Sequence, residues 1–286
     1  MKTVFIILTS KCNRSCEFCF YNQDNYRRKK DTLKYRSIID ALNFFKGKAF
    51  NEVTFTGGEP FLKKNILIKI IKDAKNLGYY INIDTNATLI NKKLLKILEK
   101  SGVDDIYISS ENINSKILDL FKSSTIKPII IVVITKNNLN KIQNNIRVIK
   151  KYNYKIILQP AYINNELINA KSLSLKYLLP REKEKLIKII SQWDKKNIHK
   201  KYQNLFLSFY GLATPKNYPH TCHMGQENIV VDSDGSVFPC FHRQDLYCGN
   251  VNTEKLKKIF KELIKTRCGL TTAPCFGEHC ISLFYH

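Results

Sequence analysis

Three cysteines, Cys12, Cys16 and Cys19, follow one another as C-x3-C-x2-C just after the first apolar run of the chain. That spacing lets a short loop wrap a compact inorganic centre with three thiolates converging on it. Iron–sulfur clusters are held by Cys thiolates, usually four, and here the next cysteine is Cys222. A cluster with three protein ligands keeps one metal position open, as catalytic zinc sites do, and an open iron can bind a small molecule. A zinc-bound or merely buried trio is the competing reading, although zinc ribbons supply a second nearby pair and none follows here. A second feature is Thr56-Gly57-Gly58-Glu59-Pro60, a turn whose glycines let the backbone approach a ligand closely, beside a carboxylate that suits an ammonium. Asn86, Ser109, Glu111 and Gln159 stand at the ends of later apolar runs, where each is either a ligand contact or a polar strand cap.

An alternation of strands and helices carries these residues. Short β-branched runs predict strands over residues 3–8, 53–56, 80–84, 106–109, 129–134 and 155–159. Helical spacing of apolar residues predicts helices over 35–45, 65–77, 92–100, 115–122, 139–152 and 181–195. Asn91 caps the third of these and Gly102 stands just past its end. Alternation at this spacing implies parallel βαβ units with right-handed crossovers. Six units make an incomplete barrel or a doubly wound sheet, and in both the ligands sit at the carboxyl ends of the strands. The alternation stops near residue 200, and from Pro219 the chain is rich in Cys, Gly, Pro and His. The expected boundary is therefore a barrel over 1–200 and a small extension over 201–286.

Six of the nine cysteines lie in that extension: Cys222, Cys240, Cys248, Cys268, Cys275 and Cys280. Residues 229–238 read as a β-hairpin with an Asp-Gly turn, which brings Cys222 and Cys240 toward one metal centre. His223, His242 and His279 each lie within two residues of a cysteine, so a zinc-binding Cys/His module is the alternative.

The run from Cys12 to Cys19, with Phe18 before the last cysteine, resembles the signature of the radical S-adenosylmethionine (SAM) enzymes. The Gly57-Gly58-Glu59-Pro60 turn resembles the same family's GGEP element. The resemblance implies a partial (β/α)6 TIM-like barrel of α/β class. It implies a [4Fe–4S] cluster on Cys12, Cys16 and Cys19 whose open iron chelates SAM. Reductive cleavage of SAM then gives a 5′-deoxyadenosyl radical that abstracts hydrogen from a substrate. By the same resemblance Phe18, Gly57, Gly58, Glu59, Pro60, Asn86 and Ser109 contact SAM, although residue 87 is Ala where relatives often have Gly. The Cys-rich α+β extension resembles SPASM or Twitch domains. That implies one auxiliary [4Fe–4S] cluster on Cys222, Cys240, Cys275 and Cys280, because the remaining spacing departs from the full SPASM pattern. Cys248 and Cys268 are left as buried small residues, alternative ligands, or thiol hydrogen donors.

Composition bounds the partners. The chain has 286 residues, 44% hydrophobic and 25% charged, which is globular usage. No apolar run reaches the roughly 20 residues of a membrane helix or forms a signal-peptide core, so a cytoplasmic protein without a membrane partner is expected. The net charge of +23 attracts anions, but its cations are nearly all Lys, so nucleic acid is disfavoured. The resemblance implies an oxidoreductase that modifies a peptide or protein, supplied with electrons by a flavodoxin or ferredoxin. The rivals are a small-molecule radical SAM dehydrogenase and, from another class, a basic zinc-bound nucleic-acid-binding protein.

Overall fold

A computed structural model describes residues 1–19, 30–109, 111, 113–161, 170–192, 225–241 and 243–270. Six parallel strands, β1 (Lys2–Ile7), β2 (Phe50–Thr56), β3 (Tyr80–Thr85), β4 (Asp105–Ser109), β5 (Pro128–Ile134) and β6 (Lys155–Pro160), pair in sequence order. The intervening helices are α1 (Tyr35–Lys46), α2 (Lys64–Asn76), α3 (Lys92–Ser101), α4 (Ser115–Leu120) and α5 (Leu139–Lys150), and α6 (Pro180–Gln192) follows β6. Local chemistry sets their ends. Asn91 accepts a 2.9 Å hydrogen bond from the Leu94 N–H to start α3, and Gly102 closes it at φ 85°.

Period-two alternation sorts the strands into two faces. Val4, Ile6, Val53, Phe55, Ile81, Ile83, Ile106, Ile108, Ile130 and Val132 are buried against the helices in one continuous core. The other face lines the inside of the curved sheet. There Asp84, Asp105, Tyr107, Ser109, Ile131, Val133, Ile157 and Gln159 are only partly covered, as residues lining an open concavity should be.

The sheet does not end at β1. The expected hairpin forms as β7 (Asn228–Val231) and β8 (Ser236–Phe238), and β7 pairs in parallel with β1, Phe5 opposite Val230. With β9 (Gly249–Asn250) the sheet reaches nine strands in the order β6-β5-β4-β3-β2-β1-β7-β8-β9. Helix α7 (Leu256–Leu270) joins the outer helical layer, where Phe260 meets Phe44 edge-on at 6.0 Å. The extension grows edge-on from the first barrel strand, a placement with no signal in local periodicity.

Candidate active site at the strand ends

The carboxyl ends of β1, β2 and β3 are knitted together. The loop after β1 passes directly over the turn after β2. Gly58 N–H donates to the Thr9 carbonyl at 2.8 Å, and Glu59 N–H to the Lys11 carbonyl at 2.9 Å. A Cβ on Gly58 would stand 2.1 Å from the Lys11 oxygen, and one on Gly57, at φ 143°, 2.4 Å from the Thr9 oxygen. The space the glycines leave is filled by the cysteine loop itself.

Glu59 is held from several sides by the protein. It is 0% exposed, and its carboxylate accepts from Phe61 N–H (3.1 Å), Thr85 Oγ1 (2.9 Å) and Asn86 N–H (2.9 Å). Burial pushes its pKa up, opposed by those hydrogen bonds. Glu59 thus braces the end of β3 against the turn after β2. Pro60 starts a one-turn 3-10 helix beside it.

Asn86 carries the brace back to the cysteines. Its Nδ2 donates to Asn13 Oδ1 at 2.9 Å and lies 3.7 Å from Cys12 Sγ. Asn13 in turn donates to Thr88 Oγ1 at 2.8 Å. Ala87 sits in the left-handed region at φ 60°, where an L side chain costs energy. Asp31 pins the other side of the loop. It accepts from the Thr9 hydroxyl, from Ser10 N–H at 2.9 Å and from Lys63 Nζ at 3.1 Å. Burial alone would raise the Asp31 carboxyl, but these donors hold it below its usual range. Asn13, Thr88 and Asp31 were not singled out from sequence, since isolated polar residues in loops carry no periodic signal.

None of the three cysteines is in a disulfide; Cys12 is exposed and the others are partly covered. Among the described residues no three His, Cys, Asp or Glu side chains gather closely enough to share one metal ion. Three thiolates on one loop are the kind of ligand set that holds an iron–sulfur cluster. Cys16 lies beside Glu111, and burial followed by that carboxylate keeps its thiol pKa high. Phe18 packs with Ala161, Leu173 and Val133 at the β5–β6 side. Cys19 packs toward Ile7, Val230, Phe238 and Phe241, with Phe5 and Phe241 edge-on at 5.0 Å. The residue after Cys240 thus touches the apolar cluster that receives Cys19. Ser109 and Gln159 lie on the same inner face, Gln159 opposite Val133.

In the extension, Cys240 is buried at the end of the hairpin. Cys248 is 3% exposed in the main core, and its thiol lies 3.3 Å from the Leu246 carbonyl, which is a packing position. Cys268 falls within α7. Cys222, Cys275, Cys280, His223, His242 and His279 lie outside the described residues.

A family model described as the radical SAM superfamily matches residues 6–165, from the end of β1 past β6. This chain belongs to the radical SAM superfamily. A second model, an iron–sulfur cluster-binding domain of SPASM type, matches residues 222–280. The superfamily brings SAM and a [4Fe–4S] cluster, and the SPASM match brings an auxiliary iron–sulfur cluster. The zinc-bound nucleic-acid reading is thereby replaced. An uncharacterized protein of Methanocaldococcus jannaschii is 31% identical over 173 residues, 59% of this chain and 52% of that one, so this match spans about half of that relative. A cysteine-type anaerobic sulfatase-maturating enzyme of Clostridium perfringens is 25% identical over 300 residues, covering 88% of this chain and 78% of its own. Streptococcus suis SuiB bound to the precursor peptide SuiA superposes with TM-score 0.70 at 19% identity, covering 95% of this radical SAM chain and 66% of SuiB. No helix among the described residues is long and apolar enough to cross a membrane.

Proposed function

We propose that this radical SAM enzyme is a peptide maturase, an oxidoreductase that crosslinks, epimerises or oxidises a ribosomally made peptide or protein. In this reading residues 1–200 form the catalytic barrel and 201–286 the auxiliary-cluster domain. Cys12, Cys16 and Cys19 hold the first cluster. Cys222, Cys240, Cys275 and Cys280 hold the auxiliary one, and a flavodoxin or ferredoxin supplies electrons. When bound, the cluster and SAM supply a 5′-deoxyadenosyl radical for hydrogen abstraction. The chain's own residues provide the seat. Gly57, Gly58 and Pro60 fix the backbone against the cysteine loop, and Glu59 and Asn86 lock three strand ends into one rigid rim. Phe18 and Ser109 border that rim from the loop and from β4.

The observation that carries the reading is the continuous path Cys12–Asn86–Glu59–Gly58, which ties the thiol loop to the turn expected to receive SAM. A peptide substrate is supported by the sulfatase-maturating relative and by the fold shared with SuiB. Anaerobic reconstitution should load about eight irons per chain. Changing Cys12, Cys16 and Cys19 together to Ala should leave about four and abolish 5′-deoxyadenosine formation. Persistent SAM cleavage in that variant would refute the assigned ligands.

A further inference from the structure

The inner face of β2, β3 and β4 is acidic in a chain whose net charge is +23. Glu52, Asp84 and Asp105 all fall on it, by the pairing Asn82 opposite Asp105 and Asp84 opposite Tyr107. Two of the three carboxylates have protein partners. Glu52 accepts from Asn82 Nδ2, and Asp105 accepts from the Tyr80 hydroxyl at 2.8 Å. Asp84, the one nearest the rim, is met among the described residues only by the hydroxyl of Thr56.

An independent observation lies beside it. Asn82 is 2% exposed, and its Oδ1 has no hydrogen-bond partner among the described residues. Its amide orientation is fixed, because Nδ2 faces the acceptors Glu52 and Thr54. A buried carbonyl oxygen without a donor is destabilising. Asn82 Oδ1 is thus an acceptor that lacks a donor, set among three carboxylates on the same face. These carboxylates are too dispersed for a metal ion. They run as a strip, with Asp84 and Asp105 one strand and two residues apart, about 8 Å between Cα atoms.

We propose that this strip seats an organic cation of the substrate, an alkylammonium or guanidinium group whose N–H donors meet Asp84 and Asn82 Oδ1. The proposal rests on the radical SAM reading and deepens it, since Asp84 stands two residues before Asn86, which lies just past the end of β3, roughly 7 Å beneath the rim. A cation bound there holds its neighbouring carbon chain under the cluster loop. Burial pushes the Asp84 carboxyl up to about 7, so keeping an acid at this position costs stability. A binding role explains why the position carries one. The cation comes from a Lys or Arg side chain of a peptide or from a free amine.

The test uses the full chain with clusters and SAM loaded anaerobically. Binding of N-acetyl-lysine methylamide, of butylamine and of the uncharged norleucine analogue is measured by calorimetry. The wild type should bind the lysine probe at least ten-fold more tightly than the norleucine one. Asp84→Asn should abolish that preference while SAM affinity stays within two-fold, and Glu52→Gln, farther down the strip, should reduce it less. Tighter binding of the lysine probe than of butylamine assigns the cation to a peptide, and the reverse assigns it to a free amine. Equal binding of charged and uncharged probes, no saturable binding of either cation, or an unchanged preference in Asp84→Asn would overturn the seat. A parallel loss of SAM affinity would also overturn it and give Asp84 to SAM instead. Failure of the radical SAM reading is separately visible as absence of 5′-deoxyadenosine from the wild type.

Discussion

Two arcs of the same inner face differ in kind. From β2 to β4 it presents Glu52, Thr54, Thr56, Asn82, Asp84, Asp105 and Tyr107, whereas β5, β7 and β8 present Ile129, Ile131, Val133, Val230 and Phe238. The outer faces of these strands are mostly apolar and pack on helices. Packing alone would favour the same aliphatic lining everywhere, since unpaired polar groups cost energy when buried. The polar arc is therefore a departure from the stability optimum that is densest under the rim braced by Glu59 and Asn86. The apolar arc continues into the extension through Phe5, Phe241 and Cys19. The concavity thus has one wall rich in polar and charged groups and one rich in hydrocarbon.

Four substitutions test that contrast. Gly58→Ala should have the largest effect, because its Cβ meets main-chain atoms of Lys11 and Cys12 at 2.1 to 2.9 Å and backbone cannot step aside. SAM cleavage should fall at least a hundred-fold, with iron content falling by about half, while a Gly58→Ala protein that keeps full cleavage would show that the rim is pliable. Val230→Asp places a carboxylate in the apolar arc at a position 1% exposed between Ile7 and Phe238. It should cost about 3–5 kcal/mol in denaturant unfolding; a cost under about 1 kcal/mol would erase the distinction between the arcs.

Asp84→Asn should go the other way. The folded protein holds the Asp84 proton up to about pH 7, well above the value of 3.8 for an unperturbed Asp, so wild-type stability falls as pH rises between those values. The variant escapes that fall. It should match wild type near pH 4 and exceed it by on the order of 1–3 kcal/mol at pH 8. A gain that shrinks as pH rises contradicts the burial argument. Ala87→Gly should be smallest. Relief of a left-handed backbone is offset by loss of a buried methyl and by added unfolded-state entropy, leaving a net change under ~0.5 kcal/mol in thermal or denaturant unfolding.

The cysteine trio, the glycine turn and the six-fold strand–helix alternation were legible in the sequence because each depends on local spacing. Expected strand limits differ from the observed ones by a few residues at most, as at β2, where Phe50 and Glu52 extend a run read as starting at Val53. The roles of the turn residues were less legible. Gly58 and Glu59 meet Lys11, Thr85 and Asn86, residues from other strand ends that no local spacing signals. The β3 sequence Tyr-Ile-Asn-Ile-Asp-Thr alternates cleanly, but alternation cannot say whether the polar face meets solvent or a lined concavity.

What the chain fixed by itself was chemistry of short range: thiols at cluster spacing, turns where glycine is needed, and strands that must be parallel because helices separate them. Tertiary structure alone decided which polar residues meet. Asp31 reaches Thr9, Asn86 reaches Cys12, and a hairpin more than 220 residues downstream of β1 pairs with it. The reason is that backbone pairing and burial act between segments close in space whatever their separation along the chain. The acid strip of β2–β4 likewise exists only once register has placed alternate residues on a common concave wall.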